Sequence, residues 1–254
     1  MTDLAITALE GIPEVVAGDD LAAIIARAAD ASQLEITDED VIVISHKVVS
    51  KSEGSVIDLR AIKPGKQALE IAERQGRDPR HVQVILDQSS ELLREEHGVL
   101  VCVTHHGLVC ANAGTDHSNV PDEQSVVVLP ADSDRSARSL RASIFDLTGA
   151  RPAVLIADSF GRAWRVGQVD VAIGCAGLTA LDQWSGRNDR SLRPLAATAI
   201  AIADAAAGAA DLARAKDSGE PVVLIKGLSR FVTAEDGPGA AALRRPAAQD
   251  LFRR

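Results

Sequence analysis

The sequence predicts a fold of mixed strands and helices, α+β or α/β, and three observations carry that prediction. Residues 41–45 (Val-Ile-Val-Ile-Ser) form a short, β-branched apolar run that reads as a buried strand, and residues 221–225 read as the last central strand. Residues 64–76 and 79–94 read as helices with apolar side chains at helical spacing, for example Val82, Ile85, Leu86 and Leu93. Strands and helices intermingle with no internal repeat and no low-complexity linker, which suggests an α+β or α/β architecture. At 254 residues the chain fits one large domain, residues 1–254, or two intimately packed lobes.

Taken in order, residues 3–8 read as a first strand, and the Gly and Pro of residues 9–14 break it into a loop. Asp19 and Asp20 stand at the N-cap of a helix over residues 21–29. Beyond the 79–94 segment, residues 99–104 and 108–111 read as strands joined by a turn at His105, His106 and Gly107. A strand follows at 125–129, then a helix at 133–148 with Ser136, Arg138 and Arg141 on its polar side. Residues 153–157 read as a strand ending at Asp158, and 169–176 as a further apolar stretch. The alanine-rich segment 195–215 reads as a packed helix, and 235–246 as irregular connection.

Composition narrows the function classes. Basic residues number 27 and acidic residues 36, a net charge of -9. That balance disfavours a nucleic-acid backbone or an anionic membrane surface as partner, while leaving room for a local basic pocket. Aromatics make up 2% of the chain, so the core must be built from Ala, Val, Leu and Ile. Cys102, Cys110 and Cys175 are odd in number and lack CxxC spacing, which points to reduced, buried thiols in a cytoplasmic protein. Neither a signal peptide nor a membrane-spanning apolar run is visible.

Three polar segments could carry chemistry. Residues 45–54 place Lys47 and Lys51 four apart among hydroxyls directly after a predicted strand. They could collect phosphate oxygens, or simply be a solvated helix start. Residues 112–119 hold turn-forming types, yet Asp116 offers a hard oxygen to a divalent cation and Asn119 an amide to a nucleotide. In residues 157–170, Asp158 sits at a strand end where a carboxylate can face a cleft, and Ser159 adds an oxygen. Arg162 and Arg165 flank Trp164 and could neutralise phosphate or carboxylate, the alternative being a structural Asp–Arg pair. Two tempting motifs read as structural. Adjacent His105 and His106 would point to opposite faces of a strand, and Gly174 to Gly177 would serve close backbone packing.

These segments resemble the coenzyme F-420:L-glutamate ligases, or F-420-0:gamma-glutamyl ligases. The resemblance runs through residues 9–13, 48–54, 107–120, 129–130, 158–168, 170–174, 186–187 and 226–227, nearly the whole chain in matching order. It implies the family's α+β fold of mixed sheets with packed helices in a homodimer, GTP as energy source, a divalent cation (Mg or Mn), and a monovalent cation (K) assisting. Its nucleotide positions fall on Gly11, Ile12, Pro13, Glu14, His46, Lys47, Lys51 and Asn119, and its metal positions on Asp116, Asp158 and Ser159. Lys47 and Lys51, with Arg162 and Arg165, are the expected charge-neutralising residues of catalysis. The implied reaction adds L-glutamate to an F-420 precursor through an acyl phosphate and extends a γ-linked tail. A same-fold ligase with another acid acceptor and a non-catalytic nucleotide-binding module are the rivals. Where relatives carry Met-Gly in a later nucleotide loop, this chain has residues 213–220, Ala-Arg-Ala-Lys-Asp-Ser-Gly-Glu. The resemblance is to a free-standing form, without the nitroreductase-like C-terminal domain of some relatives.

Overall fold

A computed structural model describes residues 3–118, 120, 122–196, 198–215 and 217–250. The chain begins with β1 (Ala5–Ala8), α1 (Leu21–Ala31), β2 (Val41–Ser45), α2 (His46–Ser52) and β3 (Val56–Asp58). It continues with α3 (Lys66–Gln75), α4 (Pro79–Asp87), β4 (Ser89–Glu96), β5 (Val99–Thr104), β6 (Val109–Ala111) and β7 (Ser125–Val127). The last third holds α5 (Ser133–Thr148), β8 (Ala153–Arg162), β9 (Arg165–Ala176), β10 (Leu181–Gln183), β11 (Ala199–Ala201), α6 (Ile202–Asp211) and β12 (Val222–Lys226).

The largest sheet has five strands in the order β1-β12-β2-β8-β9. Only β2 and β8 run parallel in it; the other neighbours are antiparallel. Strand β2 is buried from Val41 to Ile44 because both faces of the sheet are covered. Ile42 and Ile44 join a core with residues of α1 and α5, whereas Val41 and Val43 join a second core with the alanines of α6. Alanine lets α6 approach the sheet closely, which is how a chain poor in aromatics still fills its interior. A third core packs α3 and α4 on β5 of the three-stranded sheet β4-β5-β6, through Ile71, Val82, Ile85 and Leu100. Among the described residues no helix is long and apolar enough to cross a membrane.

Local signals set most boundaries. Asp20 caps α1 by accepting from the Ala23 amide at 3.0 Å, and Asp132 caps α5 by accepting from the Arg135 amide at 2.9 Å. Gly76 ends α3 at φ 63°, in the left-handed conformation that glycine adopts without steric cost.

Four expectations need correction. The helix expected over 79–94 ends at Asp87, and residues 89–96 form β4, paired antiparallel with β5. The Ser89 hydroxyl donates to the Ile85 carbonyl at 2.6 Å, helping to close the helix end, and pairing with β5 overrides the helical spacing of Leu93. Segment 45–54 is not a loop: α2 begins directly after β2 with His46, Val48, Val49, Ser50 and Lys51 buried, so it is not a solvated helix either. Segment 195–215 holds a short strand before a ten-residue helix, α6. Arg141 and Ser136 face inward rather than along a polar side. Arg141 is 1% exposed, and its guanidinium donates to the carbonyls of Pro152, Thr233 and Ala234 and to Asp236. It thereby ties the segment after β12 to α5.

The structural reading of the 174–177 glycines holds. A Cβ on Gly174 would lie 2.3 Å from the Ser133 carbonyl oxygen, and one on Gly177 2.4 Å from the Arg141 guanidinium. His105 and His106 lie in the turn between β5 and β6, where their ring nitrogens meet the carbonyls of Asp87 and Ala131 respectively.

Candidate active site

A cleft of about 730 Å³ opens at the carboxyl end of β2, beside the middle of the parallel strand β8. Ligands of α/β sheets gather at such ends because loops and helix starts leave the sheet there together. The cleft is assembled from residues distant in sequence: Ile12, Pro13 and Glu14; His46, Lys47 and Lys51; Asp116 and Ser118; Asp158, Ser159, Gln168 and Asp170; and Arg214, Ala215, Asp217, Gly219, Glu220 and Pro221.

The register explains each placement. Ser45, the last residue of β2, pairs with Ala157, so His46 at the start of α2 lies beside Asp158 midway along β8. His46, 2% exposed, places Nε2 3.3 Å from Asp158 Oδ1, and its Nδ1 is 3.5 Å from the Ser50 hydroxyl one helical turn on. The Ser159 amide also donates to Asp158 Oδ1, at 2.8 Å. Both protein contacts therefore fall on one oxygen, and Oδ2 has no described partner. Between β8 and β9 the register shifts by one residue after Ile156, which sets Ser159 opposite Asp170. A bulge of this kind re-aims side chains beyond it.

Asp116 reaches the cleft from a loop held by paired backbone bonds to Val127, of 3.0 and 2.9 Å. Its Oδ2 lies 2.7 Å from Lys47 Nζ, and its Oδ1 accepts from the Ser118 amide at 2.6 Å. Burial works to raise the Asp116 carboxyl, but the Lys47 ammonium and the bonds from Ser118 outweigh it and hold it below the usual carboxylate range. Lys47 Nζ also donates to the Ser118 hydroxyl. Lys51, almost fully buried, meets the exposed Glu14 carboxylate at 2.5 Å.

The cleft thus unites eight of the predicted residues: Ile12, Pro13, Glu14, His46, Lys47, Lys51, Asp116 and Asp158, with Ser159 beside them as the ninth. Gly11 is exposed at φ 74° just outside the lining and shapes the turn into it. Asn119 lies outside the described residues. Arg162 and Arg165 are not in the lining. Strand β8 runs on to Arg162, five residues past the end expected for it, and pairs with β9 as a hairpin. Its exposed turn carries both arginines, with Trp164 84% exposed at φ 58° between them.

Sequence reading passed over Arg214 and did not single out Asp170. Arg214 donates to Asp170 Oδ2 and, at 3.0 Å, to the Pro221 carbonyl, while Asp170 Oδ1 accepts from the Ser159 hydroxyl at 2.6 Å. The available signal was an aspartate alternating into the apolar run of β9, where an unpaired charge would be costly.

Among the described residues, no three His, Cys, Asp or Glu side chains converge as a metal-binding group. Among the described residues the lining has six carboxylates (Glu14, Asp116, Asp158, Asp170, Asp217, Glu220) beside Lys47, Lys51 and Arg214, hard oxygen donors of the kind that would suit a divalent cation. The three thiols are free and buried, and burial pushes those of Cys110 and Cys175 up to about 12, so neither is a ready nucleophile.

The cleft brings carboxylates and ammonium groups together beside the end of β2, and neither Cys110 nor Cys175 is among its described lining residues. The chain belongs to the F420-0:Gamma-glutamyl ligase family, whose profile matches residues 11–227, and it is an enzyme of the ligase class. It is similar to the coenzyme F420:L-glutamate ligase of Methanothermobacter thermautotrophicus, with 43% identity over 98% of this chain and 99% of the relative. The ligase of the same name from Methanopyrus kandleri is 42% identical over 93% and 92% respectively. That of Methanocaldococcus jannaschii is 42% identical over 87% and 88%.

Proposed function

We propose that this ligase joins L-glutamate to an F-420 precursor at the expense of GTP. The observation that carries the reading is the convergence of Asp116 and Asp158 with Lys47 and Lys51 in one cleft at the end of β2 and beside the middle of β8. Carboxylate oxygen is a poor leaving group, so it must be activated before an amine can displace it. In the proposed sequence, an oxygen of the precursor's terminal carboxylate attacks the γ-phosphorus of GTP. The bond from that phosphorus to the bridging oxygen breaks, and GDP leaves. The glutamate amine then attacks the acyl carbon, the C–O bond to phosphate breaks, and the products are an amide, inorganic phosphate and a proton.

This chain's side chains would do three things. Lys47 and Lys51 neutralise phosphate charge, their present partners Asp116 and Glu14 marking where that charge is exchanged. His46 holds Asp158 by one oxygen, leaving Oδ2 for a cation. Asp116, Asp158 and Ser159 are the hard donors that would hold Mg or Mn, which supplies charge neutralisation across phosphate oxygens when bound. Arg162 and Arg165, exposed on their hairpin, would meet the carboxylates of incoming substrate. A homodimer with K assisting completes the reading.

The test is direct. The protein is incubated with F-420 precursor labelled with oxygen-18 in the acceptor carboxylate, together with glutamate, GTP and Mn. Mass spectrometry should show precursor heavier by one or more glutamyl residues, and one labelled oxygen in the released phosphate. No glutamylated product would overturn the ligation reading; product with unlabelled phosphate would overturn the acyl-phosphate route alone.

A further inference from the structure

Asp116 is aimed into the cleft by contacts made on the opposite side of its own loop. Asp116 and Ser118 are among the described lining residues, and Thr115 and His117 are not. The backbone is extended there: Thr115 has φ -75° and ψ 138°, and Asp116 is bridged to Val127. In extended backbone successive side chains point to opposite sides. Holding Thr115 and His117 on one side therefore turns Asp116 and Ser118 to the other.

His81 holds both. It is buried on α4, outside the described lining of the cleft. Its Nε2 lies 2.9 Å from the Thr115 hydroxyl, and its ring meets the His117 ring edge to face, with centroids 4.1 Å apart and planes at 77°. Arg77 approaches its Nδ1 at 3.5 Å. A guanidinium offers only donors, so Nδ1 accepts and Nε2 carries the proton given to Thr115. His117 is fixed in turn, because a carbonyl only accepts: its Nδ1 donates to the Ser125 carbonyl at 3.2 Å. Arg77 also grips the start of the loop, donating to Asn112 Oδ1 at 3.1 Å. Asn112 and Ala113 stand there at φ 51° and 53°, a left-handed conformation that such residues keep only where their surroundings impose it.

We propose that His81 is a positioning residue of the cleft, acting through Thr115 and His117 to set the aim of Asp116. A donor held in place before its ligand arrives loses less freedom on binding. The inference rests on the functional reading above only in taking Asp116 as a donor to a divalent cation. Nothing in sequence marks His81 for this task, since its partner Thr115 lies 34 residues further on.

Mn2+ alone is the probe, its binding read from the electron paramagnetic resonance of the free ion, so no turnover is needed. His81→Phe keeps a ring against His117 and removes the N–H. It should weaken Mn2+ binding by roughly 10–100-fold, the usual effect of losing a residue that orients a ligand. His81→Gln supplies an N–H donor and an acceptor again and should recover most of that loss. A residue that merely fills space would show the reverse order, with Phe the better substitute. Thr115→Val removes the other end of the same bond and should weaken binding comparably. Adding His81→Phe in that background should cost little more, because the two act as one unit. Unchanged affinity in folded His81→Phe would overturn the proposal. So would a His81→Gln variant that binds no better than His81→Phe, or a full additional loss in the Thr115→Val background. If His81→Phe does not fold, Thr115→Val carries the test, and unchanged affinity there would refute the proposal. Mn2+ binding that follows this pattern in a protein that makes no glutamylated product would support the inference while removing the ligation reading. Absence of Mn2+ binding in the unaltered protein would remove the inference, even where product forms.

Discussion

Asp158→Asn keeps the shape of the side chain and removes its charge. The donors that meet Oδ1, the Ser159 amide at 2.8 Å and His46 Nε2 at 3.3 Å, would find an amide oxygen in the same place. A hydrogen bond to a charged acceptor contributes about 1.5–3 kcal/mol and a neutral one about 0.5–1.5. Two such bonds weaken, while the cost of keeping a largely buried carboxylate from water disappears. The net loss of stability should be about 1 kcal/mol, which for a chain of this size lowers Tm by roughly 2–4 °C. Oδ2, the oxygen available to a cation, becomes an NH2 group that cannot bind one. Losing residues that merely orient a ligand costs roughly 10–100-fold, so losing the ligand should cost at least about 100-fold in turnover. Thermal melts would be read beside GDP release at increasing Mn. Normal turnover at saturating metal would refute the assignment, and so would a fall in Tm of tens of degrees, which would make Asp158 a structural residue.

Lys51→Ala should weaken GTP binding more than glutamate binding, by roughly 10–100-fold for a charge-assisted bond of about 1.5–3 kcal/mol; calorimetry with each ligand decides. Asp116 is held low, so its ion pair contributes stability above the ordinary carboxylate range. That contribution is lost as pH falls through the lowered value in the folded protein. Lys47→Met should therefore move the onset of that loss to higher pH, seen in urea titrations across the acid range. Gly177→Ala combines φ 74° with a Cβ 2.4 Å from the buried Arg141 guanidinium, and should cost at least about 2–3 kcal/mol in chemical denaturation. Trp164→Ala, at an exposed turn, should leave Tm within about 2 °C while raising the KM for the precursor, which steady-state kinetics would show.

Much of this architecture could be read from sequence where a local signal coincides with its tertiary role. Strand β2 has continuous β-branched residues because both its faces are covered, and α1 and α5 announce themselves by aspartate caps. The misreadings share a cause: contacts between distant residues outweighed local pattern. Leu93 sits at helical spacing, yet β5 claims it as strand. Arg141 looks like a surface residue until the carbonyls of residues 233 and 234, some ninety positions away, are seen around it. In the cleft, Asp116 could be singled out as an acid in a loop and Asp158 as an acid closing an apolar run, although β8 continues past it to Arg162. The bond between Asp170 and Arg214, 44 residues apart, could not, because nothing in either neighbourhood names the other.

The order of the large sheet also bears on how the chain is made. β1 has a single neighbour, β12, and β12 lies between β1 and β2. β1 must therefore wait for a strand synthesised more than two hundred residues after it. Until β12 arrives, β2 exposes an open edge of unpaired backbone, the kind of edge that recruits other chains. Pairing at such separation is slow, because the loop must close before its contacts reward it. Chains released before Val222 should accumulate as aggregates rather than as partly active enzyme, and chaperone dependence during synthesis should end abruptly once that strand is free.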